Sequence, residues 1–139
     1  MAEALLNRID AKNFEAVSAG TSRGRLHPLT VEVMKEIGSD LSQKTTKHVE
    51  DFRKHNFDYV ITLDENSARA YQNSEHTETI HWRVDDPASI DVYEPEKQLR
   101  VFRMVRDQIA QRLRLFVIVH LRPQTSSRVA TLSVTAGAR

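Results

Sequence analysis

The sequence contains no cysteine. Within these residues no disulfide, no thiolate ligand for zinc and no thiol nucleophile is available. Aromatic residues make up 6% of the chain, and glycine and proline occur four times each, which excludes a fibrous repeat and a disordered composition. No apolar run approaches the ~18–20 residues that a membrane span needs. The opening Met1–Ala4 also lacks the basic and apolar stretches of a signal peptide.

The charges are almost balanced, with 20 Lys and Arg against 19 Asp and Glu. This balance argues against nucleic acid as a partner. A hydrophobic fraction of 40% and a charged fraction of 28% are typical of a soluble globular domain, which we expect to be cytoplasmic. The sequence has no glycine-rich nucleotide-binding loop, and its six histidines lack the close spacing of a helical zinc pair. We therefore expect no cofactor, no metal and no membrane partner.

Helical and strand patterns alternate along the chain. We predict helices over 1–12, 28–38, 64–70 and 94–115, and strands over 14–17, 57–63 and 79–82. Asp64 is expected to cap the short helix that follows it. Such alternation is typical of an α/β domain with a parallel sheet. We assign residues 1–116 to this domain and residues 117–139 to a C-terminal extension.

The C-terminal extension differs in composition from the rest of the chain. From Gln108 to Arg139 there is no carboxylate, and there are five arginines. The apolar run 115–121 predicts a buried strand, followed by a basic tail rich in serine and threonine. Arg122 and Arg128 in this tail are candidate anion ligands.

Several ordered blocks give the chain a family resemblance. They are Met1-Ala2-Glu3-Ala4, residues 17–21 (Val-Ser-Ala-Gly-Thr), Leu26-His27-Pro28 with residues 34–38 (Met-Lys-Glu-Ile-Gly), residues 58–63 (Asp-Tyr-Val-Ile-Thr-Leu), His81-Trp82 with residues 85–88 (Asp-Asp-Pro-Ala), and residues 103–116. With these blocks, residues 1–116 resemble the low-molecular-weight tyrosine phosphatases, and most closely their thiol-dependent arsenate reductase branch. The resemblance implies a phosphotyrosine protein phosphatase I-like fold, a three-layer α/β architecture with a four-stranded parallel sheet. It also implies attack of a cysteine on arsenate or phosphotyrosine.

The chain departs from this family at the nucleophile. In the family a first strand and a Cys-x5-Arg-Ser loop precede the Met-Ala-Glu helix, whereas here Met1 comes first. The two redox cysteines of the reductases correspond to Asp64 and Tyr71. We therefore expect a catalytically inactive chain, for which the family's thioredoxin-like reductant has no disulfide to reduce. Two alternatives remain open: a binding module for an oxyanion or a protein, and a truncated enzyme whose nucleophile loop lies upstream of Met1.

Other positions of the family's site are retained. Asp86, followed by Pro87, matches the general acid that protonates the leaving oxygen; by residue type alone, Asp-Pro indicates a turn. Glu3 and Ser18 match a potassium site of some reductases. A third ligand position of that site is held by Lys47, whose ammonium could replace the ion.

The absent first strand is an interior strand in the family, so its loss would leave its neighbours without ladder partners. Each buried unpaired group costs about 1–3 kcal/mol, against a total stability of roughly 5–15 kcal/mol for a domain. We predict that the run 115–121 replaces it, with Arg122 and Arg128 facing an anion. The alternatives are a tail without selected structure and a homodimer that completes the sheet.

Overall fold

The computed structural model describes residues 1–70, 76–121 and 127–133. In chain order its helices and strands are α1 (Ala2–Asp10), β1 (Phe14–Gly20), α2 (Pro28–Glu36), β2 (Tyr59–Thr62), α3 (Glu65–Ala70), β3 (Glu78–His81), α4 (Pro95–His120) and β4 (Ser127–Ser133), with one 3-10 turn at Val49–Phe52. This order matches the predicted alternation as far as α4. None of the helices described is both long enough and apolar enough to cross a membrane.

The strands form one parallel sheet in the order β1-β4-β2-β3. The predicted α/β class with a parallel sheet is thereby confirmed. Strand β4 lies in the interior, paired along its whole length with β1 and, from Val129 to Leu132, with β2. The buried strand neighbours therefore keep their hydrogen-bond partners, and a strand from the C-terminal extension fills the interior position.

The prediction that residues 115–121 form this strand is wrong. Residues 115–120 continue α4, and the strand that enters the sheet begins at Ser127. In the run itself Phe116 and Val117 are buried, whereas Ile118 and Val119 are about three-quarters exposed. This is the one-sided burial of a helix, and a short apolar run does not distinguish a helix from a strand by periodicity. Helix α4 also continues through the boundary that was predicted at 116/117.

Both faces of the sheet are covered, as in a three-layer fold. Alternate residues of the interior strands enter opposite clusters: Ile61 and Val129 pack with α1, α2 and α4, whereas Val60 and Ala130 pack with the 3-10 turn. Successive side chains of a strand point to opposite faces, which explains this division. All four residues of β2 are buried, as expected for an interior parallel strand.

Helix α2 ends as its sequence predicts. Gly38 follows the last turn with φ of +78°, a backbone conformation that glycine adopts without a Cβ penalty. Ser39 N donates to Met34 O at 3.0 Å and Gly38 N to Lys35 O at 2.9 Å. The free carbonyls at the end of the helix are thereby satisfied.

Candidate functional site

The candidate site lies at the carboxyl edge of the sheet. In a parallel sheet the carboxyl ends of all strands meet at one edge, and ligands bind in the crevice outside it. The short turn 11–13 connects α1 to β1, so the start of α1 lies beside the end of β1. The loops after β1, β2 and β3 and the beginning of α1 therefore converge there.

A cavity of about 390 Å³ opens at this edge. Its polar lining residues are Arg25, His27, Thr30, Asp64, Asn66, Asp85 and Asp86. Its apolar wall includes Met1 and three residues of α4, namely Phe102, Val105 and Ile109. The structure thus brings the predicted acid, Asp86, together with the amino end of α1 and with two basic side chains.

Asp86 is partly exposed and belongs to a turn. Its Oδ1 accepts a hydrogen bond from Ala88 N at 2.9 Å, and its backbone carbonyl accepts from Ser89 N at 3.0 Å. The turn that Asp-Pro indicates by residue type is therefore present. Since the turn holds the carboxylate at the cavity, the two interpretations of Asp86 are compatible.

His27 lines the same cavity and is held in place by two contacts. Its Nδ1 accepts a hydrogen bond from Leu29 N at 3.2 Å, which caps α2, and its ring stacks on Phe102 with centroids 4.8 Å apart. With Nδ1 as the acceptor, a neutral ring carries its proton on Nε2 and can donate there. Sequence reasoning did not assign His27 or Arg25 to a site. The signal for His27 was its position immediately before Pro28 at a helix start.

Asp64 acts as the cap that the sequence predicted. Its Oδ1 accepts from Ser67 N at 2.8 Å, and its Oδ2 accepts from Ser67 Oγ at 2.7 Å. Both carboxylate oxygens are therefore engaged with α3. This geometry holds Asp64 in a structural role, although it lines the cavity.

Glu3, Ser18 and Lys47 form a second polar cluster, beside a neighbouring cavity of about 330 Å³. Glu3 Oε2 accepts from Lys47 Nζ at 2.7 Å, from Ser18 N at 2.7 Å and from Ser18 Oγ at 2.8 Å. Burial alone would raise the pKa of Glu3, but the hydrogen bonds from Lys47 and Ser18 outweigh it and lower that pKa. The ammonium thus binds the same Glu3 oxygen as Ser18, and these two residues match the family's cation ligands.

Arg128 lies far from Asp86 along the strand direction, because it is the second residue of β4. Its Nε is 3.4 Å from Glu15 Oε2, and its backbone N donates to Asp58 Oδ2 at 2.8 Å. The structure therefore places Arg128 at the amino edge of the sheet, between carboxylates. Arg122 and Tyr71 lie outside the described residues. Among the residues that are described, no three His, Asp or Glu side chains could together hold a metal ion.

Comparisons with known proteins agree with this architecture. The family model for low molecular weight phosphotyrosine protein phosphatase matches residues 1–127. The chain belongs to this family. It is 34% identical over 117 residues to the arsenate reductases of Bacillus licheniformis and Bacillus subtilis, covering 84% of this chain and of each relative. A glutaredoxin arsenate reductase of Synechocystis is 30% identical over 116 residues.

A solved structure has the same fold. An arsenate reductase in the reduced state superposes with a TM-score of 0.64 at 26% identity, covering 85% of this chain and 86% of that one. The predicted resemblance to the low-molecular-weight phosphatases and to their arsenate reductase branch is confirmed. This chain has no cysteine and therefore lacks the nucleophile of the thiol-dependent reaction.

Proposed function

We propose that this family member binds an arsenate- or phosphate-type oxyanion at the carboxyl-edge cavity without reducing or hydrolysing it. The observation that carries the proposal is the meeting of Arg25, His27 and the amino end of α1 with Asp86 in one cavity. Helix amino ends and arginine side chains favour anions. The covalent step of the family needs a thiolate, and the chain supplies none.

In this proposal Asp86 keeps the position of the family's general acid but protonates no leaving group. With Asp64 and Asp85 it places three carboxylates on the cavity lining. These charges repel a dianion more strongly than a monoanion. We therefore expect the site to prefer the singly charged form of the oxyanion.

The cluster of Glu3, Ser18 and Lys47 supports a second part of the proposal. The Lys47 ammonium lies 2.7 Å from Glu3 Oε2 and provides the positive charge that a bound potassium ion would provide. The side chains of Glu3, Ser18 and Lys47 therefore connect α1, β1 and the segment before the 3-10 turn without a bound ion. We expect this link to hold without added potassium.

The strand order of the sheet bears on two alternatives: a truncated enzyme with an upstream nucleophile loop and a homodimer that completes the sheet. Because β4 occupies its interior, a strand from an upstream nucleophile segment would have to displace β4. Because β4 already fills the interior of the sheet, a second copy of the chain is not needed to complete it. The cavity favours a small anion over a protein partner, since Arg25, His27 and Asp86 all line one space of about 390 Å³, the size of a small-molecule site. A cytoplasmic location is part of the proposal.

The test is a calorimetric titration of the protein with phosphate and with arsenate. We expect saturable binding with no release of p-nitrophenol from its phosphate ester and no thiol-driven arsenate reduction. Arg25→Ala should weaken binding about tenfold, the equivalent of about 1.4 kcal/mol. Arg53→Ala is the matched control, because Arg53 is exposed and pairs with Glu50 outside the cavity. Absence of saturable binding at millimolar phosphate would refute the proposal, and so would turnover above background.

A further inference from the structure

The amino end of α1 and the carboxyl end of β4 lie at the same edge of the sheet. The register pairs Ser133, the last residue of β4, with Gly20, the last residue of β1. Helix α1 contacts both strands. Met1 and Thr131 line the same cavity, the one beside the Glu3 cluster. The first residue of the chain therefore lies close to the end of the last strand.

Strands β1 and β4 are parallel neighbours that do not follow each other in the chain. Parallel strands that do follow each other are joined by a crossover, usually a helix, as β2 and β3 are by α3. Strands β1 and β4, in contrast, stand near opposite ends of the chain, although they are paired along seven residues. If the end of the chain were joined to Met1, β4, α1 and β1 would form an ordinary strand–helix–strand unit.

The sequence after β4 has the spacing of the family's loop. Ser133 is followed by five residues and then by Arg139, and the chain begins with Met1-Ala2-Glu3. In the resemblance, a Cys-x5-Arg-Ser loop lies between an interior strand and the Met-Ala-Glu helix. The family match ends at residue 127, where β4 begins. Apart from its first residue, the interior strand thus comes from the part of the chain that the family model does not match.

We propose that the element order of this sheet is permuted relative to the family: β4, which follows α4 in this chain, takes the interior position that the family's first strand takes ahead of the Met-Ala-Glu helix. Strand β4 then corresponds to the family's first strand, and Ser133, its last residue, corresponds by sequence spacing to the nucleophilic cysteine. A serine hydroxyl is a much weaker nucleophile than a thiolate, which agrees with a silent site. The permutation itself depends on the sheet alone. Its consequence for anions rests on the proposed function.

The permutation is tested by restoring the family's order of elements, in which the interior strand precedes α1. In the relinked variant, residues 127–139 precede Met1 through a Gly-Ser link, and the chain ends at Leu121. We expect cooperative unfolding and the same amide spectrum for β1 and β2 as in the original chain. The control carries the same link with Val129, Thr131 and Leu132 replaced by serine, and it should lose cooperative unfolding, because all three side chains are buried.

Hydrogen exchange on the unaltered chain gives an independent measurement. The amides of Ala130 and Thr131 should exchange as slowly as those of Val60 and Ile61, with which they pair in register. Fast exchange of the β4 amides would overturn the proposal, because β4 would then not belong to the sheet. A relinked variant without cooperative unfolding would also overturn it, because the two ends would then not fit together.

A substitution at Ser133 separates the permutation from anion binding. We expect the Ser133→Cys thiol to react with iodoacetamide and phosphate to slow this reaction about tenfold when present at ten times its Kd. Asn56→Cys is the control, since Asn56 is exposed and precedes β2 at the opposite edge; its reaction should not respond to phosphate. Phosphate that binds by calorimetry but does not slow the reaction of Ser133→Cys would overturn the assignment of Ser133 to the cysteine's position, whereas absence of binding by calorimetry would refute the proposed anion site.

Discussion

The Nζ atom of Lys47 lies 2.7 Å from Oε2 of Glu3, which also accepts both hydrogen bonds from Ser18. Three donors thus converge on one carboxylate oxygen that is largely shielded from water. The Glu3 side chain is 19% exposed and the Lys47 side chain 38%. A carboxylate in this setting is costly to leave unpaired, so the ammonium determines whether α1 is stably connected to the segment around residue 47.

Lys47→Ala should therefore destabilise the protein and make its stability dependent on potassium. We expect a loss of about 1–2 kcal/mol, because one charged hydrogen bond from a partly exposed ammonium to a largely buried carboxylate is removed. Part of this loss should return in KCl and not in choline chloride, as measured by urea unfolding. Lys44→Ala is the control; Lys44 is exposed, and the change should stay within about 0.5 kcal/mol. Equal unfolding midpoints for Lys47→Ala in the two salts would contradict the replacement of a cation by Lys47.

The lowered pKa of Glu3 predicts a stability change in acid. Because the folded-state pKa lies below the ordinary value of 4.5, the ionised Glu3 stabilises the fold above that value. This contribution should disappear as the pH falls through the lowered pKa. Urea midpoints of the protein and of Glu3→Gln, measured from pH 7 to pH 3, should differ most at neutral pH and converge in acid. A constant difference across this range would contradict the shift.

Leucines on the two sides of residues 122–126 distinguish the observed strand from the one that the sequence predicted. Leu132 in β4 is 3% exposed, whereas Leu121, the last residue of the predicted strand, is 48% exposed. Leu132→Ala should cost about 2–5 kcal/mol through lost burial and a cavity, and Leu121→Ala less than about 0.5 kcal/mol. Chemical denaturation of both variants tests this. The reverse ranking would support a strand at 115–121.

The sequence was sufficient for most of the fold because its signals are local. The strand at Tyr59–Thr62 is an apolar run of strand length, and Gly38 ends α2 by its own conformational freedom. The Asp64 cap was recognisable for the same reason, since its partner, Ser67, is three residues away. In each case the residues that decide the local structure are only a few positions apart in the sequence.

The position of the last strand was not recognisable in this way. Residues 115–121 contain six apolar residues, whereas β4 contains three, so the local pattern favours the earlier run as the strand. What decides between them is non-local. Phe116 packs against Phe14 and Tyr59 as part of α4, and Ser127–Ser133 fits between β1 and β2. The role of His27 was missed likewise, because its stacking on Phe102 joins residues 75 positions apart.

The charge of Asp86 should set which form of an oxyanion the proposed site binds. Asp86→Asn keeps an oxygen for the hydrogen bond from Ala88 N, so the turn is retained while one negative charge is removed from the cavity lining. Phosphate is mainly a dianion at pH 8, and the loss of repulsion should tighten its binding several-fold, or by about 1 kcal/mol. At pH 5.5, where the monoanion dominates, the gain should be smaller. Calorimetric titration at both pH values measures this difference, with Asp91→Asn, outside the cavity, as the control. Weaker binding by Asp86→Asn at pH 8 would instead show that Asp86 holds the ligand directly, as a proton donor would.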